Sequence, residues 1–362
     1  MSDLKELLIF LSQFDLTNHK IRQILDILGD NASIKSFKKA KLDKTKILTS
    51  ENYQKMLEMA DEQLVKTFVV NQAERGIKVV CKFDDDYPQK LFDLDDAPYV
   101  LYYKGDISLA NKPSLSVVGT RKPTNYGRLA TEKIVGDVAR AGVVIVSGLA
   151  YGVDSIAHRK CLEVGGKTIA VLGGGFNNIY PAEHKGLADE IAEKGLLLSE
   201  YRPKKVATKY SFPTRNRIVA GLGDGVLITE ASFKSGTIHT KEFALDFGRN
   251  IYAVPGNIDN SNSSLTNDII KRGQAELVTD ANDILEDYPE LQKKEKKEGK
   301  VDYSYLSLEE QQILAQLTNG MKTVEEITKN CDISINILNS YLTTLEISGI
   351  ISRMPGGYIS LN

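Results

Sequence analysis

Residues 143–154 read VVIVSGLAYGVD, a short apolar run that ends in a glycine-rich turn. The run is rich in β-branched residues, which predicts a β-strand. A second junction of the same kind, VVGTRKPTNYG, covers residues 117–127. Continuous apolar strands that alternate with helical stretches indicate a parallel sheet buried on both faces.

Similar runs recur through the middle of the chain, and helical stretches separate them. They cover residues 78–81, 116–118, 143–146, 168–172, 196–198, 226–229, 251–254 and 276–278. This alternation predicts an α/β fold, a Rossmann-like, mostly parallel sheet domain at residues 71–287.

Two smaller regions flank the predicted sheet domain. Over residues 1–70 apolar positions such as Leu4, Leu7, Leu8 and Leu11 recur at helical spacing, which predicts a small helical domain of the SAM or helix-hairpin-helix kind. The turn at residues 15–19 lacks a glycine-rich hairpin, so a packing or docking role is favoured over nucleic-acid binding.

The C-terminal region begins after a highly charged stretch. Residues 288–304 are too charged and too poor in apolar residues to fold alone, which predicts a linker. Residues 305–362 contain three helical segments followed by two short strands around a Pro-Gly-Gly turn, the pattern of a winged helix. The small helical region and the winged helix are thus predicted to flank the sheet domain.

Composition limits where a nucleic acid could bind. The 362 residues are 42% hydrophobic, and 46 Lys and Arg stand against 48 Asp and Glu, a net charge of −2. Any nucleic-acid site must therefore be a local basic patch. Cys81, Cys161 and Cys331 lie too far apart for CxxC spacing, which excludes a zinc ribbon and suits a reducing compartment. No secretory signal or apolar run of about 20 residues is present, so we expect a cytoplasmic protein without a membrane partner.

Glycine-rich loops follow several predicted strands. Gly119 and Gly148 begin two of them, and two more cover residues 173–175 and 234–237. Such loops let backbone N–H groups approach an anion at a helix N-terminus, and ligands of open α/β sheets bind at this edge. Neither GxGxxG nor GxxxxGK[ST] occurs, so a dinucleotide or Walker A site is not indicated.

Residues 201–219 form the most basic segment of the sheet domain. They contain six Lys and Arg residues and no Asp or Glu, with Tyr201, Tyr210 and Phe212 interleaved. Cations neutralise phosphates and aromatic rings stack on unpaired bases, so the combination favours single-stranded nucleic acid over a simple solvated loop.

Catalytic interpretations have less support. Asp154 and His158 are four residues apart on one helix face, but no third metal ligand is indicated. Ser147 and Ser235 precede glycines outside any G-x-S-x-G motif. Glu200 or Glu230, each at the end of a strand, remains a candidate acid or base. We therefore expect no metal, no cofactor and no enzymatic activity.

The predicted winged helix is acidic. Over residues 302–362 three Lys and Arg stand against seven Asp and Glu, and the recognition helix at residues 334–348 has neither Lys nor Arg. Helices that read DNA grooves contact phosphates and bases through such side chains, so a partner-binding or regulatory role is favoured over sequence-specific DNA binding.

Taken together, these motifs resemble the DNA-processing protein A family, DprA or Smf. The resemblance extends over about 190 residues and rests on Tyr87-Pro88, residues 95–98, 118–121 and 147–154, Tyr180-Pro181, Ser199-Glu200, residues 212–217, Glu230-Ala231, residues 235–237 and residues 254–256. It implies a non-enzymatic protein, usually a homodimer, that binds single-stranded DNA, protects it in natural transformation and loads RecA recombinase onto it. The residues implied to line the DNA pocket are Gly119, Thr120, Arg121, Ser147, Gly148, Phe212, Arg215, Asn216, Arg217, Ser235 and Gly236.

Our hypothesis assigns roles within this set. Arg121, Arg215 and Arg217 pair with phosphates, Phe212 stacks on a base, and backbone N–H groups of the loops take the remaining oxygens. The alternative is a nucleotide-processing enzyme, because residues 235–237 also resemble the loop of nucleotide phosphoribohydrolases. Against it, Thr240 stands where that loop has Glu.

Overall fold

The structure, a computed structural model, describes residues 1–45, 47–289, 291, 306–317, 322–331, 333–354 and 357–361. They fall into two compact units, Met1–Lys294 and Glu295–Asn362. Most of the predicted linker, residue 290 and residues 292–304, lies outside the described part. Every helix that the structure describes is too short or too polar to cross a bilayer.

Short helices form the N-terminal part of the first unit. They are α1 (Asp3–Ser12), α2 (Asn18–Leu28), α3 (Ile34–Lys39), α4 (Ser50–Met59) and α5 (Glu62–Ala73). The apolar residues at the predicted helical spacing lie on the buried face of α1, since Leu7, Leu8 and Leu11 are fully buried. Ser2 and Thr17 cap α1 and α2, and Gly29, at φ +62°, ends α2.

A mixed sheet follows the helices. Its strands are β1 (Lys78–Cys81), β2 (Val100–Gly105), β3 (Ser114–Val118), β4 (Val144–Ser147), β5 (Thr168–Val171), β6 (Leu196–Ser199), β7 (Gly225–Ile228), β8 (Asn250–Ala253) and β9 (Glu276–Leu277). The strand order is β1-β2-β6-β5-β4-β3-β7-β8-β9. The strands from β3 to β9 run parallel to one another, which confirms the Rossmann-like, mostly parallel prediction.

Helices cover both faces of this sheet. They are α6 (Gln89–Phe92), α7 (Asn125–Arg140), α8 (Val153–Glu163), α9 (Lys185–Lys194), α10 (Ser211–Leu222), α11 (Thr237–Asp246), α12 (Ser264–Lys271) and α13 (Asn282–Leu285). Alternate residues of β4 point to opposite faces: Ile145 packs in one core with Val138 of α7, and Val146 packs in the other with Ile218 of α10. Double coverage explains why the strands read as continuous apolar runs.

The strand β2 was not among the predicted runs. It pairs antiparallel with β1 and with β6 and so extends the sheet beyond its parallel part. The hydroxyl of Tyr102 on β2 lies 2.6 Å from Ser12 Oγ, at the end of α1. This strand therefore connects the N-terminal helices to the sheet.

The second unit contains the predicted three helices and two strands. Its elements are α14 (Leu308–Leu317), β10 (Lys322–Thr323), α15 (Val324–Cys331), α16 (Ile335–Ile347), β11 (Ile351–Met354) and β12 (Tyr358–Leu361). The strands pair in the order β10-β12-β11, and Ile313, Leu342 and Ile359 are buried among the helices. The winged-helix prediction is confirmed; residues 355 and 356 of its turn lie outside the described residues.

Candidate nucleic-acid interface

The carboxyl ends of the parallel strands form one edge of the sheet. From β3 the order proceeds through β4, β5 and β6 on one side and through β7, β8 and β9 on the other. The chain crosses between the two halves through α10, which connects β6 to β7. Open α/β sheets bind ligands outside the carboxyl ends of their strands at such a switch point.

Close backbone contacts hold the loops at this edge together. The N–H of Thr120 donates to the carbonyl of Glu230 (2.7 Å), and the N–H of Val153 donates to the carbonyl of Thr120 (3.2 Å). A side chain at Gly152 would overlap the Thr120 carbonyl, and Gly152 has a φ of +76°. The loops after β3, β4 and β7 therefore form one continuous surface.

An exposed cation and two aromatic rings lie on this surface. The guanidinium carbon of Arg121 is 5.7 Å from the centre of the Phe212 ring, and the Tyr180 ring is 5.3 Å from Phe212. Arg121 is exposed, Phe212 is half-buried and Tyr180 is 53% exposed. The absence of a side chain at Gly173 lets Phe212 pack closely there, since a Cβ would lie 2.7 Å from the ring. This group of Arg121, Tyr180 and Phe212, called here the edge cluster, offers charge and stacking surface together.

The other predicted arginines are turned inward. Arg215 is 4% exposed, and its Nη1 donates to the carbonyls of Gly148 and Val171 at the ends of β4 and β5. Asp154 lies beside it and accepts from the N–H groups of Gly148 and Ala150 (3.2 and 3.3 Å). Arg121, Phe212 and Gly148 line a small cavity under the edge cluster, and Arg215 also lines it. The bonds of Arg215 join the loops that follow β4 and β5.

The guanidinium of Arg217, which is predicted to contact a phosphate, pairs with two carboxylates. Its Nε donates to Asp96 (2.9 Å), its Nη2 donates to Glu200 (2.6 Å), and the side chain is 4% exposed. A phosphate that replaced either carboxylate would leave a buried charge unpaired, which is costly. The burial of Arg215 and Arg217 therefore favours exposed Arg121 as the phosphate contact among the three predicted arginines.

Two backbone N–H groups that were predicted to bind phosphate already have hydrogen-bond acceptors within the protein. The N–H groups of Thr120 and Gly148 bond within the protein, to Glu230 and Asp154. Gly119 permits this packing, because a Cβ there would lie 2.6 Å from Val153 and 2.8 Å from the Glu230 carbonyl. These residues shape the edge, and a phosphate that bound the N–H groups of Thr120 and Gly148 would have to replace these bonds.

The remaining predicted residues are placed as follows. Ser147 is fully buried and donates through Oγ to the Val117 carbonyl (2.6 Å). Ser235 and exposed Gly236 precede α11, where Ser235 Oγ accepts from the N–H of Thr237 (3.2 Å). Asn216 is half-buried on α10. Among the described residues, those lining the cavity under the edge cluster include Gly148 but not Ser147, Asn216, Ser235 or Gly236.

The basic segment supplies further exposed charge. Lys204 and Lys209 are exposed, and Lys209 Nζ lies 5.0 Å from the ring centre of exposed Tyr210. Lys205 pairs instead with Asp15 (2.8 Å). Among the residues that the structure describes, five exposed cations lie in loops that follow strands at this edge: Lys204, Lys209, Arg121, Lys122 and Lys234.

Sequence reasoning overlooked two aromatic residues as site residues. Tyr180 belongs to the edge cluster, and Tyr151 lines the same cavity at 40% exposure, with its hydroxyl donating to Glu183 (2.6 Å). The signal was present, since Tyr151 stands between Gly148 and Gly152 and Tyr180 precedes Pro181. An aromatic residue within a glycine-rich loop at a ligand-binding edge deserves the same weight as one in a basic segment.

The candidate catalytic groups have structural partners. Glu230 accepts from the N–H and Oγ1 of Thr124 (both 2.8 Å) and from Asn260 Nδ2 (2.9 Å). His158 is fully buried, and its Nδ1 donates to Thr168 Oγ1 (2.7 Å), because that hydroxyl gives its own proton to the Ile145 carbonyl. Burial, assisted by the charge of Arg215, lowers the pKa of His158 to about 3. These bonds support structural roles for Glu230 and His158.

Comparison with known families matches both units. Residues 78–289, more than half of the chain, match the model of "DNA recombination-mediator protein A", and residues 302–357 match that of the DprA winged helix domain. The chain belongs to the DprA family. It is 43% identical over 205 residues to DNA processing protein DprA of Streptococcus pneumoniae (57% of this chain, 72% of the relative). Over 218 residues it is 40% identical to DprA of Bacillus subtilis (60% and 73%).

Solved DprA structures are also similar. The X-ray structure of Streptococcus pneumoniae DprA has a TM-score of 0.67 and 33% identity, covering 79% of this chain and 97% of that one. The Helicobacter pylori DprA structure, which describes a single-stranded DNA binding mode, has a TM-score of 0.54 and 32% identity (59% and 96%). The resemblance to the DprA family and a role in DNA recombination are thereby confirmed.

Proposed function

We propose that this chain binds single-stranded DNA along the carboxyl edge of its sheet, in the cytoplasm, without catalysing a reaction. The edge cluster carries the proposal: exposed Arg121 lies over the half-buried ring of Phe212, beside exposed Tyr180. A cation beside accessible aromatic faces suits unpaired bases on a charged backbone, because duplex bases are already stacked.

The strand is expected to follow the exposed cations. Arg121 pairs with a phosphate, Phe212 and Tyr180 stack on bases, and Lys122, Lys204, Lys209 and Lys234 extend the positive surface. Five neutralised phosphates would give a slope of log K against log [salt] of roughly −3.5, at about −0.7 per single-strand phosphate. The buried arginines contribute by fixing the loops.

Fluorescence anisotropy of a labelled oligo-dT tests this assignment. Unlabelled single strands are expected to compete strongly and duplex of the same length weakly, and the salt slope should approach the value above. Equal competition by duplex, or affinity independent of salt, would contradict the proposal.

We further propose that the bound strand is handed to RecA recombinase, by a homodimer of this chain acting in natural transformation or recombination. Membership of a recombination-mediator family supports this step. Addition of the protein should shorten the lag before RecA hydrolyses ATP on single-stranded DNA, and light scattering should give twice the monomer mass. An unchanged lag at saturating protein would refute RecA loading.

A further inference from the structure

A second cavity lies beside the proposed DNA path. It has a volume of about 280 Å³ and is bounded by the turn between α1 and α2, by the segment after β6 and by α10. Its walls are partly apolar, with Phe14, Leu16, Ile21 and Val100 among the lining residues. The N-terminal helices thus complete a pocket that the sheet alone would leave open.

Three buried polar atoms of residues that line this cavity have no hydrogen-bond partner among the described residues. They are Nη1 of Arg217, Nε of Arg202 and Oε1 of Glu200. The side chains of Arg217 and Glu200 are 4% and 11% exposed. Buried polar atoms are almost always bonded, so two donors and one acceptor at one cavity point to a missing bonding partner.

The chemistry of these atoms matches a nucleobase. Each base is a flat ring that presents both hydrogen-bond acceptors and donors along its edge. Unpaired bases are recognised by such edge contacts together with stacking on aromatic side chains, which Phe14 and Tyr201 offer here. Glu200 would accept from a ring or exocyclic N–H, while Arg202 and Arg217 would donate to ring or carbonyl acceptors.

The cavity also lies within reach of the proposed strand. Phe212 and Arg215 face the cavity under the edge cluster, whereas Thr214 and Arg217 line the second cavity. Both pairs are on α10, and at 1.5 Å per residue Phe212 and Arg217 are separated by roughly 7.5 Å along its axis. That distance is short enough for one strand to reach both cavities.

We infer that this second cavity is a nucleobase subsite, filled by a base of the single strand that crosses Phe212. The inference rests on the proposed function, and it extends the DNA path from the sheet edge to the N-terminal helices.

Photo-crosslinking tests the subsite in the full-length protein. An oligonucleotide of 5-iodo-deoxyuridine is bound, irradiated and digested, and the crosslinked residues are located by mass spectrometry. We expect crosslinks at Phe14 or Tyr201 in addition to Phe212 or Tyr180. Crosslinks confined to Phe212 and Tyr180 would overturn the subsite and leave the proposed function standing.

A steric variant provides the second measurement. Thr214 is exposed at the cavity wall, and its Oγ1 bonds to the Tyr210 carbonyl one turn earlier (3.0 Å). Thr214→Trp should remove the crosslinks at Phe14 and Tyr201 and keep those at Phe212. The matched control is Thr344→Trp in α16, an exposed threonine with the same bond to the Ser340 carbonyl (3.2 Å). Second-cavity crosslinks that survive Thr214→Trp would contradict the assignment.

Two further outcomes bear on the subsite and on the proposed function. Excess deoxythymidine monophosphate should compete for the second cavity and weaken the crosslinks at Phe14 and Tyr201, while those at Phe212 remain. If no residue crosslinks and anisotropy detects no binding, the proposed function fails and the subsite with it.

Discussion

Arginine side chains at the carboxyl edge differ in what neutralises them. Arg217 has two carboxylates, Arg215 has two carbonyls and the neighbouring Asp154, and exposed Arg121 lies against an aromatic face. In sequence the three look alike, because Asp96 and Asp154 are distant from residues 215 and 217 along the chain. Only the fold shows which cation remains for a phosphate.

At the same scale, His158 makes stability depend on pH. Its pKa is lowered to about 3 by burial, whereas an unfolded His titrates near about 6.5. Between these values the unfolded chain binds the extra proton, so the free energy of unfolding falls as pH falls below about 6.5, by up to about 1.4 kcal/mol per pH unit.

Urea unfolding of the wild type and His158→Asn at several pH values checks this prediction. The Asn amide can donate to Thr168 as Nδ1 does, but it does not titrate. The stability advantage of the wild type should shrink as the solution is acidified. An advantage that is the same at all pH values would show that His158 does not cause the dependence.

Among the elements, the loop after β4 depends on a glycine. Gly152 and Gly165, which flank α8, both have positive φ, but only Gly152 faces backbone atoms of Thr120 and Arg121. Gly165→Ala should lower the free energy of unfolding by about 1 kcal/mol through backbone strain. Gly152→Ala should lower it by about 1 to 3 kcal/mol more, because the overlap adds to the strain. Equal losses in urea unfolding would contradict the proposed packing.

The parallel strands β3 to β8 were predictable because double burial makes them continuous apolar runs, whereas both residues of the edge strand β9 are exposed. The observed bounds differ from the predicted ones by at most two residues. The strand β2 has a comparable signal in Val100, Leu101 and Tyr102, but no crossover helix precedes it, and its antiparallel pairing with β6 depends on residues almost 100 positions away. The glycine loops were identified because their signal is local. The partners of their N–H groups were not predicted, because those partners can be distant along the chain, as Glu230 is from Thr120.

For the whole molecule, the charge is divided between the units. The exposed cations of the sheet edge belong to the first unit, whereas α16 of the winged helix contains no Lys or Arg. Removal of residues 295–362 should therefore leave single-stranded DNA affinity and its salt slope unchanged in anisotropy titrations. A large loss of affinity would place part of the DNA site in the second unit.

The central claim is that DNA lies over Arg121 at the sheet edge, and one comparison tests it most directly. Oligo-dT affinity is measured across salt concentrations for the wild type, Arg121→Ala and Arg140→Ala, a matched exposed arginine at the far end of α7. We predict weaker binding for Arg121→Ala, with a salt slope shallower by about 0.7, the value for one phosphate, and wild-type behaviour for Arg140→Ala. Equal affinity and slope in all three proteins would contradict the account.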